Sequence, residues 1–77
     1  MKDSKDAITY FIAFCVEQYK NAKNLSGQEA FDRLDQYGVL AYLSENYEVL
    51  HTQSAQWILE DIEEFIDNTR HYLKPTN

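Results

Sequence analysis

The sequence is poor in the residues that build disulfide-bonded, β-rich or nucleic-acid-binding domains. Its 77 residues include one Cys, one Pro and two Gly. A single Cys excludes a disulfide within the chain, and so few Gly and Pro argue against the many turns of a β-sandwich or barrel. Seven Lys and Arg against thirteen Asp and Glu give a net charge of −6. This balance argues against nucleic acid as a partner, because phosphate binding needs cations.

The N-terminal region lacks the features of a targeting or membrane segment. The apolar run Ala7–Val16 follows two lysines, but acidic residues interrupt this start and no small-residue cleavage site follows. The run is also too short to span a bilayer. We therefore expect a complete, cytoplasmic chain that folds as a single helical domain over 1–77, with an ordered core at about 4–73 and a frayed tail at 74–77.

Apolar residues recur at helical spacing in two long segments, one near each end of the chain. The first segment, about Ser4–Ala22 with Ser4 as a candidate cap, places on one stripe Ile8, Phe11, Ile12, Cys15, Val16 and Tyr19. The last segment, about Gln53–Tyr72 after a capping Thr52, places on one face Ala55, Ile58, Leu59, Ile62, Phe65, Ile66, Thr69 and Leu73. Both patterns predict long amphipathic helices.

Two shorter helices are predicted between the long ones. Ser26 and Glu29 have the spacing of a capping box, which predicts the start of the second helix. Gly38 suits the left-handed residue that ends this helix. Val39 to about Ser44 predicts a short third helix, for which Asn46 can serve as the C-terminal cap.

The segment Tyr47–His51 has no helical period, and we expect an extended loop there. Val49 and Leu50 are predicted to hold this loop against the core. The expected fold is therefore all-α: a small bundle of four helices, long first and last, with two shorter ones between and no sheet.

The thiol and imidazole groups are poorly spaced for catalysis or metal binding. Cys15 lies on the apolar stripe with no basic neighbour to lower its pKa, which favours a core role over a nucleophile paired with His51 or His71. Asp67 and His71 are one turn apart and could both reach a cation. However, no HExxH motif, Cys pair or second His at ligand spacing accompanies them. We expect neither an enzyme nor a cofactor or metal site.

The last helix carries an acidic face opposite its apolar face. Its carboxylates are Glu60, Asp61, Glu63, Glu64 and Asp67. Such a face is ordinarily a solvated surface that keeps a small protein soluble, and the alternative is a surface that steers a basic partner. Trp57 lies about 140° from the centre of the apolar face, beside Glu60, Asp61 and Glu64. It is either covered by the 47–50 segment or an exposed interface anchor.

The first helix has a second apolar row, formed by Ala7, Tyr10 and Phe14. Either this helix is central and covered on both rows, or the second row is part of an interface. The interface alternative predicts a homodimer with Tyr10 and Phe14 buried between two copies of the first helix. A further alternative is a helix-turn-helix regulator, but the would-be recognition segment Val39–Asn46 has no Arg or Lys and one Glu.

Five blocks of the sequence carry a resemblance to other proteins: Phe14–Lys20, Leu25–Gly27, Tyr37–Leu43, Val49–Gln53 and Asp61–Ile66. Together they resemble a family of short, acidic, all-helical bacterial proteins of unknown function. The resemblance covers about Ala7 to Leu73. Such proteins are often encoded beside proteins resembling ADP-ribosyltransferases. The resemblance therefore implies a non-catalytic protein-binding module, an antitoxin-like or regulatory partner of a larger enzyme.

Overall fold

In the computed structural model, every regular element between residues 3 and 73 is an α-helix. The structure describes the backbone of residues 3–73 and the side chains of 5–71, so the tail expected to fray at 74–77 lies outside the described residues. The helices are α1 (Asp3–Lys23), α2 (Gly27–Gln36), α3 (Val39–Glu45), α4 (Tyr47–Leu50) and α5 (Ala55–Leu73). The all-helical prediction is confirmed over residues 3–73, where α4 makes five helices rather than the predicted four.

Helix α1 lies against α2, α3 and α5. It begins at Asp3, so Ser4 lies inside the helix and its prediction as a cap is wrong. The predicted inner stripe is confirmed, since Phe11, Cys15 and Tyr19 are buried. The residues of the common core are Phe11, Cys15, Tyr19, Ala30, Leu34, Val39, Leu43, Leu50, Ile58, Ile62 and Ile66. The core thus draws on every helix.

The turn between α1 and α2 is built on a left-handed asparagine. Asn24 has φ of 58°. Its N–H donates to the Asn21 carbonyl at 3.3 Å, and the Leu25 N–H donates to the Lys20 carbonyl at 2.9 Å. These two bonds form a Schellman ending, which satisfies the last carbonyls of α1 while the chain reverses direction.

Both ends of α2 follow the predicted capping chemistry. The Glu29 N–H donates to Ser26 Oγ at 3.1 Å, and the Ser26 N–H donates to Glu29 Oε1 at 2.9 Å. The capping box is therefore confirmed. Gly38 has φ of 76° and its N–H donates to the Asp35 carbonyl at 3.1 Å. A Cβ atom added at Gly38 would have no atom of the described residues within 4 Å, its chain neighbours aside, so a substitution there would be destabilising through the backbone conformation.

The prediction of an extended loop at Tyr47–His51 is wrong, because a single helical turn forms there. The Asn46 carbonyl accepts the Leu50 N–H at 2.9 Å, which closes the turn. One turn is too short to display a period in the sequence. Leu50 is buried as predicted, whereas Val49 is 62% exposed and does not hold the segment to the core.

The start of α5 also differs from the prediction. Ser54 Oγ accepts the Trp57 N–H at 3.1 Å, which is the bond an N-cap makes. The Thr52 hydroxyl instead donates to the Val49 carbonyl at 2.8 Å, in the turn that follows α4. Thr52 is therefore not the cap, and the helix begins at Ala55 rather than Gln53.

The apolar face of α5 agrees with the prediction over its described side chains. Ile58, Ile62 and Ile66 are buried, and the remaining predicted members up to Thr69 are half-buried. Leu73 lies outside the described side chains. The face packs on α1 and α3.

The buried hydroxyl of Tyr19 makes no hydrogen bond to any side chain or backbone group that the structure describes. A buried polar group without a partner loses its hydration without compensation. We expect Tyr19→Phe to raise the free energy of unfolding by about 1 kcal/mol in urea denaturation. As a control for core packing, Leu34→Ala should lower it by about 2–5 kcal/mol. A destabilised Tyr19→Phe variant would show that the hydroxyl has a partner.

Candidate functional site

Four of the six residues predicted to contact a partner lie together on the first three turns of α5, and the other two, Tyr10 and Phe14, lie on α1. Trp57 is 43% exposed, so it belongs to the surface rather than the core. Glu60 and Glu64 are exposed, and Asp61 is half-buried. Together with Tyr42 of α3, these residues form what we call the acidic–aromatic surface.

Tyr42 joins this surface through a hydrogen bond between helices. Its hydroxyl donates to Asp61 Oδ2 at 2.5 Å. The Tyr42 ring also packs on Phe65, with 4.5 Å between centroids and 30° between planes. Sequence reasoning missed this role, because Tyr42 precedes Asp61 by 19 residues and only the packing of α3 on α5 brings them together. The sequence contains six Tyr in 77 residues, and this high tyrosine content was the one available signal.

The environment of Tyr42 keeps its hydroxyl protonated. The hydrogen bond to Asp61, burial, and the negative charges of Asp61 and Glu64 raise the pKa of Tyr42 to about 12. At neutral pH the hydroxyl is therefore a donor and the Asp61 carboxylate its acceptor. This bond orients Asp61 through Oδ2 and leaves Oδ1 outside the pair.

The five carboxylates of the acidic face have unequal roles. Glu63 Oε2 lies 2.6 Å from Lys23 Nζ of α1, so this charge is paired and ties the two helices. Glu60 accepts a hydrogen bond from Gln56 of the same helix at 3.3 Å. At about 100° per residue, Glu60, Asp61 and Glu64 lie nearer to Trp57 around the helix than Glu63 and Asp67 do.

The second apolar row of α1 is exposed. Tyr10 is 77% exposed and Phe14 is 44% exposed, while Ala7 is half-buried. The alternative in which α1 is covered on both rows is therefore wrong. Tyr10 and Phe14 do not contribute to the acidic–aromatic surface, and they form a second candidate contact.

Cys15 has the properties of a core residue. It is 0% exposed, and burial raises the pKa of its thiol to about 12. A nucleophilic thiol must be accessible to its substrate and have a lowered pKa. The Cys15 thiol is buried and its pKa is raised, so it meets neither condition. The His51 ring stacks on Tyr47 at 4.3 Å, and its Nδ1 donates to the Tyr47 carbonyl at 2.7 Å. That contact belongs to the packing of α4.

Two further features bear on ligands and membranes. Among the side chains of residues 5–71, no group of three or more His, Cys, Asp or Glu is placed to hold a metal ion. Within residues 3–73, no helix combines the length and the apolar character needed to cross a bilayer.

The fold and site define a small all-helical domain whose distinctive surface is an exposed Trp among carboxylates. The chain belongs to the DUF3791 family, described as a protein of unknown function, whose model matches residues 10–69. No curated protein and no solved structure matches the chain. The expected membership in a family of unknown function is thus confirmed, and the family match includes the whole acidic–aromatic surface.

The Tyr42–Asp61 bond should contribute to stability in a pH-dependent way. We expect Tyr42→Phe to lower the free energy of unfolding by about 1–2 kcal/mol at neutral pH, since the bond has a charged acceptor. The folded pKa of Tyr42 lies above the usual value of about 10. Its contribution is therefore present below about pH 10 and lost as the pH rises toward 12.

Urea denaturation from neutral to alkaline pH measures this effect. The stability difference between the native chain and Tyr42→Phe should shrink as pH rises. Tyr10→Phe is the matched control, because the Tyr10 side chain is 77% exposed, and it should stay close to the native stability throughout. A constant difference across the range would contradict the assigned bond.

The buried Cys15 thiol should react slowly with a disulfide reagent such as DTNB in the native protein. Its raised pKa and lack of exposure both disfavour the thiolate that attacks the reagent. The reaction, followed by absorbance, should become fast once urea unfolds the chain. Rapid reaction of the folded protein would contradict the assigned burial.

Proposed function

We propose that this protein is a non-catalytic, cytoplasmic protein-binding module. Its acidic–aromatic surface would dock on a basic surface of a larger protein. One observation carries the proposal: Trp57 is 43% exposed within the first turns of α5, beside the carboxylates of Glu60, Asp61 and Glu64. Exposed Trp residues are frequent binding hot spots, and surrounding charges favour a partner of opposite sign.

The geometry of the surface favours binding, because its parts are held in place before a partner arrives. The Ser54 cap accepts the backbone N–H of Trp57 and defines the start of the helix. The Tyr42 hydroxyl orients Asp61 from the neighbouring helix. Groups that are ordered in advance lose less conformational entropy on association.

The family resemblance suggests which partner this surface would meet. The nucleotide-binding cleft of an ADP-ribosyltransferase-like protein would be basic, because Arg and Lys are the side chains that bind phosphate groups. An acidic surface with an aromatic anchor is complementary to such a cleft. We therefore propose an antitoxin-like or regulatory role, in which this chain occupies the nucleotide-binding cleft of a larger enzyme.

Truncation of the aromatic anchor should mainly change the dissociation rate. We expect Trp57→Ala to lose about 2 kcal/mol of binding to the purified ADP-ribosyltransferase-like partner, measured by biolayer interferometry. Phe31→Ala is the matched control, since Phe31 is 44% exposed on α2. This control should bind like the native chain.

Charge reversal should mainly change the association rate. Glu60→Lys combined with Glu64→Lys should slow association, and the loss should shrink as salt screens the field. The control, Glu45→Lys combined with Glu48→Lys, makes the same charge change at exposed positions of α3 and α4. Circular dichroism should show all variants folded.

Two outcomes would contradict the proposal. If the control pair slows association as much as the Glu60 and Glu64 pair, net charge rather than this surface governs the encounter. If Trp57→Ala unfolds the chain and the remaining binding is insensitive to salt, Trp57 supports the fold and the acidic face only aids solubility.

A further inference from the structure

The outward side of α1 carries an apolar contact area that the core does not use. It consists of Thr9, Tyr10, Ala13 and Phe14, all exposed, and we call it the outer α1 face. Tyr10 is 77% exposed and Phe14 44% exposed, one helical turn apart. Adjacent exposed aromatic rings on a water-soluble domain commonly mark an interaction surface.

The outer α1 face is electrically neutral, unlike the chain as a whole. No Asp, Glu, Lys or Arg lies between Asp6 and Glu17. At one end Lys5 and Asp6 carry opposite charges, and at the other end Lys20 Nζ lies 3.5 Å from Glu17 Oε2. The formal charges of these four flanking residues sum to zero. The chain carries −6 in total.

This charge distribution selects the occupant. Two copies of a chain with net charge −6 repel each other, and the acidic–aromatic surface would oppose carboxylates with carboxylates. A contact between two copies through the neutral outer α1 face avoids local repulsion. The same face has no net charge with which to attract a charged partner. We propose that the outer α1 face binds a second copy of this chain, so that the protein is a homodimer built on paired α1 helices.

The composition of the outer α1 face suits a contact with itself. In a two-fold dimer the same patch lies on both sides, so the patch must be self-complementary. Large rings at Tyr10 and Phe14 alternate with small side chains at Thr9 and Ala13. The rings of one copy can therefore pack over the small residues of the other, which is how helical interfaces reach close packing.

The dimer contact is separate from the acidic–aromatic surface. Phe14 and Lys23 are nine positions apart, which at about 100° per residue places them on opposite sides of α1. Lys23 pairs with Glu63 of α5, so the outer α1 face points away from α5. The dimer would therefore leave both acidic–aromatic surfaces accessible, and it does not depend on the proposed function.

Sedimentation equilibrium from micromolar to millimolar protein tests the dimer. We expect the mass to rise with concentration from 9.1 kDa toward twice that value. Phe14→Glu and Tyr10→Glu should each raise the dimer Kd about tenfold or more, because each places a charge in an apolar contact. Trp57→Glu is the matched control, since Trp57 and Phe14 are 43% and 44% exposed. This control adds the same charge outside the outer α1 face. Its dimer Kd should therefore rise only through the added repulsion between the two copies, and by less than that of Phe14→Glu.

Salt dependence gives a second measurement. Added salt screens the repulsion between two acidic copies without weakening an uncharged contact, so the dimer should become tighter as salt rises. A monomer at millimolar protein overturns the proposal. So does a dimer that Trp57→Glu disrupts as much as Phe14→Glu, or one that salt dissociates. Tyr10→Glu should remain folded, because the Tyr10 side chain is 77% exposed. A weaker dimer in this variant therefore cannot be attributed to unfolding of the chain.

Discussion

Burial of the inner stripe of α1 is the constraint on which the rest of the structure depends. Phe11, Cys15 and Tyr19 are buried in the common core, where α1 packs against α2, α3 and α5. A chain of this size has room for one core, and its surface-to-volume ratio leaves little apolar area to spare. Large apolar residues outside that core, such as Trp57 and Phe14, therefore invite a functional explanation.

Helix α3 links this core to the candidate site. On its inner side Val39 and Leu43 are fully buried, and on its outer side Tyr42 packs on Phe65 and donates to Asp61. A short helix would be marginal alone, so its position depends on these contacts. The orientation of Asp61 is consequently a property of the packed bundle rather than of α5 by itself.

Local chemistry explains which features could be predicted from the sequence. The capping box at Ser26 and Glu29, the left-handed Gly38 and the apolar faces of α1 and α5 each depend on a few nearby residues. The errors have a different origin. A four-residue helix shows no period, and Thr52 and Ser54 are equally good caps until the preceding turn engages the Thr52 hydroxyl. The Tyr42–Asp61 bond requires the tertiary fold, so no local pattern could predict it.

The two exposed surfaces use the net charge of the chain in opposite ways. Several carboxylates lie near Trp57, and they repel one another within the folded chain. The approach of a basic surface would offset this repulsion. On the outer α1 face charges are absent or balanced, so apolar contact can act between molecules that otherwise repel. Lys23 of α1 links the two helices that carry these surfaces. Its ion pair with Glu63 neutralises one carboxylate of the acidic face and connects α1 to α5. Carboxylates beside Trp57 and a face of α1 without net charge would thus allow a small acidic domain to attract a basic partner through one surface and to bind its own copy through the other.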